Sequence, residues 1–317
     1  MVFKEEILKR VELNGGWKNN HCHLDRAYTI NNENLSRSQI SLQEKWAMLR
    51  ELKTNSTVDG ILYRMMKAID IQANQGVTYI NTFLDFDKYS LDKPYKAFEL
   101  AKEKTYEKYG NIIELECTNQ TIEGVIESES RDWFHKGAEL CDNIGGLPGR
   151  DKDNIDLHLT TIFNEAERYN KGLHIHVDQF SNPNENETEL VLDKIDEHNF
   201  KNMVSLIHCI SLNCHDKEYR ESIYKRIKST NTNIICCPRI WLDRERSETL
   251  APIHNPITAV NEMLNHDINI GIGTDNISDI ISAFSDADMY QELVILAMCN
   301  RLYDIDKLVK IVTTKLW

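Results

Sequence analysis

The alternation of short β-branched runs with longer amphipathic stretches is the feature that most constrains this fold. Eight runs have the residue types of strands, and most of the segments between them are long enough for a helix. The predicted strands span 16–23, 77–84, 111–117, 143–147, 172–177, 203–208, 233–237 and 268–273. Repeated strand–helix units indicate parallel strands with right-handed crossovers. Eight such units favour an α/β fold of the (β/α)8 TIM barrel type, with an open doubly wound sheet as the alternative.

Helical patterns fill the connecting segments. Between 42 and 75, apolar residues recur at three- and four-residue spacing, as at Ile61, Met65 and Ile69. Further predicted helices span 95–108, 153–169, 187–198, 217–229 and 256–264. No linker, low-complexity tract or internal repeat interrupts the pattern, so we expect one domain over residues 1–317. The polar segment 181–186 closely follows a strand and is expected to be a functional loop.

Charge and cysteine content bear on partners and location. The formal net charge of −13 repels nucleic acid and anionic membranes. No stretch approaches the roughly 20 apolar residues that cross a bilayer, and the first residues lack the apolar core of a signal peptide. None of the eight cysteines forms a C-x-x-C pair, so buried reduced thiols are expected. We therefore predict a cytoplasmic protein with neither nucleic-acid nor membrane partners.

Residues that can bind a metal recur at the ends of the predicted strands. His21 and His23 end the first strand, His176 lies at the end of the fifth, His208 ends the sixth, and Asp275 follows the eighth. A lone strand histidine is more often a core residue than a ligand. However, catalytic groups in a TIM barrel project from the C-terminal ends of several strands, which favours a joint site here. The core or solvent-facing role is expected for the other histidines His174, His198, His215, His254 and His266.

Imidazole and carboxylate donors suit one divalent ion, Zn²⁺ or Fe²⁺, with a position open to water. Such an ion lowers the pKa of bound water toward about 7 and so supplies hydroxide at neutral pH. Asp275 is suited to binding the metal and accepting the proton of the water. His208 is suited to polarising that water or the substrate, and a role as ligand of a second ion stays open.

Three arginines, Arg26, Arg150 and Arg239, follow different predicted strands on the face expected to carry the site. Structural ion pairs, for example with Asp25 or Asp151, explain each of them about as well as substrate binding does. Together they favour a substrate with carboxylate or ring-carbonyl oxygens, which guanidinium binds through paired hydrogen bonds. On this hypothesis Arg239→Ala raises KM more than it lowers kcat.

Several segments resemble those of the amidohydrolase superfamily, and most closely its cytosine deaminase-like and N-isopropylammelide amidohydrolase-like branch. They are Asn20-His21-Cys22-His23-Leu24-Asp25-Arg26, His176-Val177-Asp178-Gln179 and Gly271-Ile272-Gly273-Thr274-Asp275-Asn276. Further similarity lies in Gly76-Val77-Thr78, Cys237-Pro238-Arg239, Leu250-Ala251-Pro252 and Asp286-Ala287-Asp288-Met289. The match is collinear from about Gly15 to Tyr303. The resemblance implies a barrel with a mononuclear Fe or Zn site that hydrolyses a non-peptide C–N bond, often in a nitrogen heterocycle.

The resemblance also implies roles for single residues. It assigns the metal to His21, His23, His176 and Asp275, and contact with the attacking water to His208. The resemblance also matches Gln120 to a glutamine of the family that hydrogen-bonds the substrate ring.

Two positions depart from the family pattern. Gln179 stands where cytosine deaminase-like enzymes have a glutamate that shuttles protons, and Asn276 replaces an aspartate. Glutamine orients a substrate by hydrogen bonds but does not transfer protons in this way. Either Asp275 handles both proton transfers, or the leaving group needs less help.

The ends of the sequence also differ from the family. Many relatives carry a small β-sandwich formed by both termini, which is expected to be largely absent here. An apolar surface left uncovered in this way favours a homo-oligomer, or a truncated and less stable product.

The sequence can be compared with three candidate functions. The leading prediction is a metal-dependent amidohydrolase acting on a small cyclic amide, amidine or aminated nitrogen heterocycle. The alternative, motivated by Gln179 and the short termini, is a catalytically silent relative that binds metal or a small ligand. A Rossmann-type dehydrogenase is disfavoured because no G-x-G-x-x-G motif follows the first strand.

Overall fold

Short runs that are buried on both faces form most of the strands, as expected for a parallel sheet covered by helices. The computed structural model describes residues 2–31, 35, 42–120, 122–242 and 257–316. The strands are β1 Trp17–Cys22, β2 Val77–Asp85, β3 Glu114–Gln120, β4 Asn143–Gly146, β5 Leu173–Val177, β6 Val204–His208, β7 Asn233–Cys236 and β8 Ile270–Ile272. They pair in parallel and in sequence order, and β8 closes on β1. The predicted (β/α)8 barrel is confirmed, and the open sheet is wrong.

Helices surround the barrel and cover it. They are α1 Val2–Leu13, α2 Leu42–Asn55, α3 Val58–Ala73, α4 Lys93–Tyr109, α5 Ser128–Leu140, α6 Ile155–Tyr169, α7 Glu187–His198, α8 Lys217–Ser229, α9 Val260–Asn265, α10 Met289–Asn300 and α11 Ile305–Thr313. The apolar stripe of α3 is buried, as its sequence spacing predicts. Among the described helices, none is both long enough and apolar enough to span a bilayer.

Several boundaries differ from the sequence prediction, and the three largest differences are as follows. The single helix predicted over 42–75 is two helices, because Thr57 caps α3 by accepting a hydrogen bond from Gly60 N at 3.1 Å. The third strand begins at Glu114 rather than at 111, because Gly110–Ile112 form a 3-10 turn. The helix predicted over 256–264 is the shorter α9, and Pro256 lies outside the described residues.

Helix α5 has no counterpart among the predicted helices. It contains Gly137, which is unfavourable in a helix interior. A Cβ atom at Gly137 would lie 2.8 Å from the Cβ of Asn119 and 2.9 Å from the ring of Phe86. The glycine therefore lets α5 approach the ends of β2 and β3 closely, at the expense of the helical sequence signal.

Helix α2 joins three loops that follow barrel strands at their C-terminal ends. It carries basic side chains that bind partners far away in sequence. Lys45 Nζ donates to Ile281 O at 2.7 Å, Arg50 Nη2 lies 2.7 Å from Glu123 Oε2, and Lys53 Nζ lies 2.6 Å from Asp87 Oδ2. These contacts place α2 at the end of the barrel where the strand-end residues lie.

Candidate metal centre

The histidines predicted from strand ends meet at the centre of the barrel. The ring centroid of His21 lies 5.0 Å from that of His23 and 4.8 Å from that of His176. The ring centroid of His208 lies 5.5 Å from that of His176. All four side chains are buried. Residues from β1, β5 and β6 thus surround one small volume.

Asp275 faces these histidines with both of its carboxylate oxygens. Its Oδ1 lies 3.6 Å from His21 Nε2 and 3.3 Å from His23 Nε2, whereas Oδ2 lies 3.7 Å from His208 Nε2. Backbone bonds fix this position: Asp275 N donates to His21 O, and His23 N donates to Asp275 O. One carboxylate oxygen of Asp275 therefore lies near His21 and His23, and the other lies near His208.

The donor set fits a divalent metal ion. Ligand atoms of His21, His23 and His176 lie within 4.8 Å of one another. Within the described part of the chain, both ring nitrogens of His21 are buried and have no hydrogen-bond partner. Buried polar groups normally have one, so an unpartnered imidazole in this cluster fits a metal ligand. Three imidazoles and a carboxylate are donors that Zn²⁺ and Fe²⁺ accept.

Protonation states at the centre also suit a cation. Burial lowers the pKa of His176 well below its usual range, and the neighbouring imidazoles add to this effect. Burial likewise lowers the pKa of His23. Burial alone would raise the pKa of Asp275, but its close contacts with His21 and His23 hold it well below the usual value. Neutral imidazoles beside an ionised carboxylate are the forms that bind metal.

The backbone at two strand ends adopts left-handed conformations that favour glycine. His208, Cys209 and Asp275 have φ values of 80°, 51° and 55°. Thr258 Oγ1 donates to His208 O at 2.6 Å, and Cys209 N donates to Val177 O at 3.2 Å. Such conformations persist where neighbouring contacts fix them, and they cluster at functional sites. The sequence pattern does not predict these left-handed conformations.

Gly273 allows β8 to approach β1 at the metal centre. A Cβ atom at this position would lie 2.6 Å from His21 O and 2.9 Å from His21 Cβ. We expect Gly273→Ala to displace His21 and to lower the metal content of the purified protein, measured by elemental mass spectrometry. Gly60→Ala in α3 is the matched control, because its nearest neighbour would be Thr57 Oγ1 at 3.2 Å. Equal metal content in both variants would contradict this role of Gly273.

A carboxylate pair supports the segment that carries Gln179. Asp178 N donates to Glu187 Oε2 at 2.9 Å, and Glu187 N donates to Asp178 Oδ1 at 2.8 Å. Asp178 O accepts from the backbone N–H groups of Ile210 and Ser211. Asp178 therefore connects the segment after β5 to the segment after β6.

The contribution of the Asp178–Glu187 pair to the stability of the fold depends on pH, because the pKa of Glu187 is shifted. Burial, together with the charge of Asp178, raises the pKa of Glu187 from 4.5 to about 8. A carboxyl whose pKa is raised in the folded state stabilises the fold at low pH, and this contribution is lost as the pH rises through about 8. We expect the free energy of unfolding to fall between about pH 5 and 8 in the parent protein and to change less in Glu187→Gln. Denaturant unfolding at several pH values measures this, and parallel curves would contradict it.

The two glutamines occupy different surroundings. Gln120 ends β3 and is buried, and its Oε1 has no hydrogen-bond partner among the described residues. Gln179 is half-buried and follows the left-handed residue Asp178. The substrate-binding role of Gln120 and the catalytic role of Gln179 stay predictions.

The three arginines already have protein partners. Arg26 Nε donates to Asp279 Oδ2 at 3.0 Å, and its Nη1 lies 3.5 Å from Asp85 Oδ2. The acceptor Asp279 also receives a hydrogen bond from Asn276, at 2.7 Å. This charge network was missed at the sequence level, although Asp85 at the end of β2 is a signal that would have found it.

Arg239 and Arg150 are also engaged. Arg239 Nε lies 3.3 Å from Glu292 Oε1, and its Nη1 pairs with Asp286. Arg150 donates to a backbone carbonyl, and its Cζ lies 4.3 Å from the ring centre of Trp46 in α2. Each of the three arginines therefore has a specific partner within the protein, as a structural role requires. Their roles in substrate binding stay predictions.

The remaining histidines and the polar loop lie away from this cluster or have other contacts. His198 Nδ1 lies 3.2 Å from Glu167, His215 Nε2 lies 2.8 Å from Glu185 O, and the His266 ring packs against Tyr224. His174 is buried inside the barrel near Phe83. The loop 181–186 remains a predicted functional loop. His254 and Leu250-Ala251-Pro252 lie outside the described residues.

Comparison with known proteins places the chain in a family. The model of the amidohydrolase family matches residues 48–315. An uncharacterised protein of Haemophilus influenzae is 40% identical over 265 residues, which are 82% of this chain and 93% of that protein. N-isopropylammelide isopropyl amidohydrolase of Pseudomonas sp. (strain ADP) is 23% identical over 299 residues, or 92% of this chain and 70% of that enzyme.

A solved structure shows the same fold. The crystal structure of 5-methylcytosine deaminase from Klebsiella pneumoniae, liganded with 5-fluorocytosine, has a TM-score of 0.81 at 21% identity. It matches over 93% of this chain and 72% of the deaminase chain. The family resemblance seen in the sequence is confirmed. Because the family model matches well over half of its residues, this chain belongs to the amidohydrolase family and is a hydrolase of carbon–nitrogen bonds other than peptide bonds.

Proposed function

We propose that this protein is a metal-dependent amidohydrolase of a small cyclic amide, amidine or aminated nitrogen heterocycle. The observation that carries the proposal is the convergence of three imidazoles and Asp275 around the unpartnered ring nitrogens of His21. His21, His23, His176 and Asp275 would hold one ion, Zn²⁺ or Fe²⁺. Such an ion, when bound, acts as a Lewis acid that makes water a stronger acid near neutral pH.

The two carboxylate oxygens of Asp275 face different histidines, which suggests how the proton of the attacking water is transferred. Oδ1 faces the histidine pair, so Oδ2 is the oxygen that accepts a proton from the attacking water beside His208. His208 Nε2, 3.7 Å from Oδ2, stabilises the negative charge that develops on the substrate. Gln179 and Gln120 then orient the ring through amide hydrogen bonds.

A catalytically silent, ligand-binding relative is the second candidate. It is favoured by Gln179, which does not carry protons as a glutamate does. Release of ammonia or amine from a panel of pyrimidines, triazines, pterins and lactams separates the two functions. Turnover of one of these classes by metal-loaded protein supports the enzyme. Silence across the panel, with about one equivalent of metal bound, supports the binding protein.

The setting proposed for this activity is a reducing one. None of the eight cysteines, all of which lie in described segments, forms a disulfide. Free thiols are typical of cytoplasmic proteins. We therefore propose a cytoplasmic enzyme made of one barrel domain over residues 1–317, with a small-molecule substrate and no nucleic-acid or membrane partner. A homo-oligomer remains part of this proposal.

Arg239 tests whether the substrate carries an anionic or carbonyl group. Burial raises the pKa of its partner Glu292 to about 8, although the charge of Arg239 opposes this rise. Removing Arg239 alone would leave Glu292 buried without its cation. We therefore expect Arg239→Ala, made together with Glu292→Gln, to raise KM by about tenfold and to lower kcat less. Glu292→Gln alone is the control, and an unchanged KM would remove Arg239 from the substrate site.

A further inference from the structure

Cys237 lies beside the metal centre but outside the predicted ligand set. It follows β7, a strand that contributes none of the four proposed ligands. Its side chain is fully buried in a cluster with apolar partners. The partners are Phe83, Ile207, Ile235, Ile240 and Leu316. A thiol in such surroundings ordinarily acts as a small apolar side chain, so only a specific contact gives it another role.

Cys237 belongs to a second group of potential metal-ligand atoms. This group shares His21 with the group formed by His21, His23 and His176. Cys237 Sγ, a ring nitrogen of His21 and a carboxylate oxygen of Asp275 lie within 4.8 Å of one another. Zinc binds sulfur at about 2.3 Å and nitrogen at about 2.0 Å, so two such donors on one ion lie at most about 4.3 Å apart. At the tetrahedral angle the two donors lie about 3.5 Å apart, so a shift of at most about 1.3 Å brings the sulfur within range.

His21 provides an independent observation. Its side chain is fully buried, and neither ring nitrogen has a hydrogen-bond partner within the described ranges. Metal-binding histidines usually donate their second ring N–H to a carboxylate or carbonyl. His21 lacks such a bond, and one of its ring nitrogens lies within 4.8 Å of donor atoms of Asp275 and Cys237, so a shared metal ion is a partner that fits all three groups.

We propose that Cys237 is an additional ligand of the metal ion at this centre. The proposal rests on the metal centre proposed above and adds a donor to it. As the sulfur–metal bond forms, the thiol proton leaves to solvent, and nothing is oxidised or reduced. A thiolate donor favours zinc over iron, because soft ligands select softer ions.

Cobalt spectroscopy tests this ligand directly. The protein is freed of metal with a chelator and then titrated with Co²⁺ to one equivalent. Visible d–d bands report that the centre is occupied, and a near-ultraviolet sulfur-to-cobalt charge-transfer band reports sulfur ligation. We expect both signals in the parent protein, and loss of the charge-transfer band alone in Cys237→Ser.

Cys236→Ser is the matched control. Cys236 is the adjacent buried cysteine, and its Sγ donates to Gly271 O at 3.3 Å. This variant should keep both signals. If Cys237→Ser does not fold, Cys237→Ala replaces it, and the parent spectrum still reports whether sulfur binds.

The outcomes separate this proposal from the one on which it rests. Visible bands without a charge-transfer band in the parent protein overturn Cys237 as a ligand and leave the metal centre standing. A charge-transfer band that survives in the Cys237 variant also overturns it. Absence of both signals overturns the metal centre and, with it, the role of Cys237.

Discussion

His21→Ala is expected to abolish metal binding, and Asp275→Ala to do the same. His21 contributes a fully buried imidazole, and it lies beside every other proposed ligand. Asp275 contributes the one negative charge among His21, His23, His176 and Asp275, and its removal leaves the dication held mainly by neutral imidazoles. Protein purified without chelator should contain about one equivalent of zinc or iron, and each variant close to none. Elemental mass spectrometry measures the content.

His198→Ala is the control for these two variants. Its imidazole lies on α7 beside Glu167 and takes no part in the cluster. The metal content of this variant should equal that of the parent protein, which shows that losing a histidine is not itself the cause. Full metal retention in both His21→Ala and Asp275→Ala would disprove the proposed centre.

Gln179→Glu is expected to raise the rate of ammonia release from cytosine. The carboxylate would stand where the family resemblance implies a proton-shuttling glutamate, on a segment already held by the Asp178–Glu187 pair. A positioned general acid–base contributes about 10²- to 10⁴-fold to a rate, so we expect a gain on the order of 10² in kcat/KM. An ammonia-coupled assay at neutral pH measures the gain.

Gln179→Ala serves as the comparison for this gain. It removes the amide without adding a proton carrier, so it should not increase deamination. If both variants deaminate cytosine no faster than the parent protein, the missing glutamate is not what limits this chain. Substrate fit would then be the limiting factor, since proton transfer had been supplied.

The barrel was predictable because its sequence signal is local. Strands such as Val77–Asp85 and Val204–His208 are rich in β-branched and other apolar residues and almost entirely buried, so their runs are visible in the sequence. Errors arose where one residue changes the local structure. Thr57 caps the start of α3 and so separates it from α2. Gly137 weakens the helical sequence signal of α5, where tertiary contact outweighs helix propensity.

The metal centre was predictable for a related reason. Parallel strands bring their C-terminal ends to one face, so residues at strand ends meet whatever their distance in sequence. The partners of the arginines were not predictable in this way. Arg26 binds Asp279, and Arg239 binds Glu292, which lies in α10. These acceptors lie in loops and helices whose positions no local pattern reveals.

Helix α2 has a consequence for how the open end of the barrel moves. Because Lys45, Arg50 and Lys53 contact loops that follow β8, β3 and β2, lifting any of these loops while α2 stays in place breaks a contact with α2. Segments linked in this way unfold locally as one cooperative unit. Amide hydrogens across the rim would then exchange with solvent together, and the rate at which small molecules enter would be set by a single concerted opening.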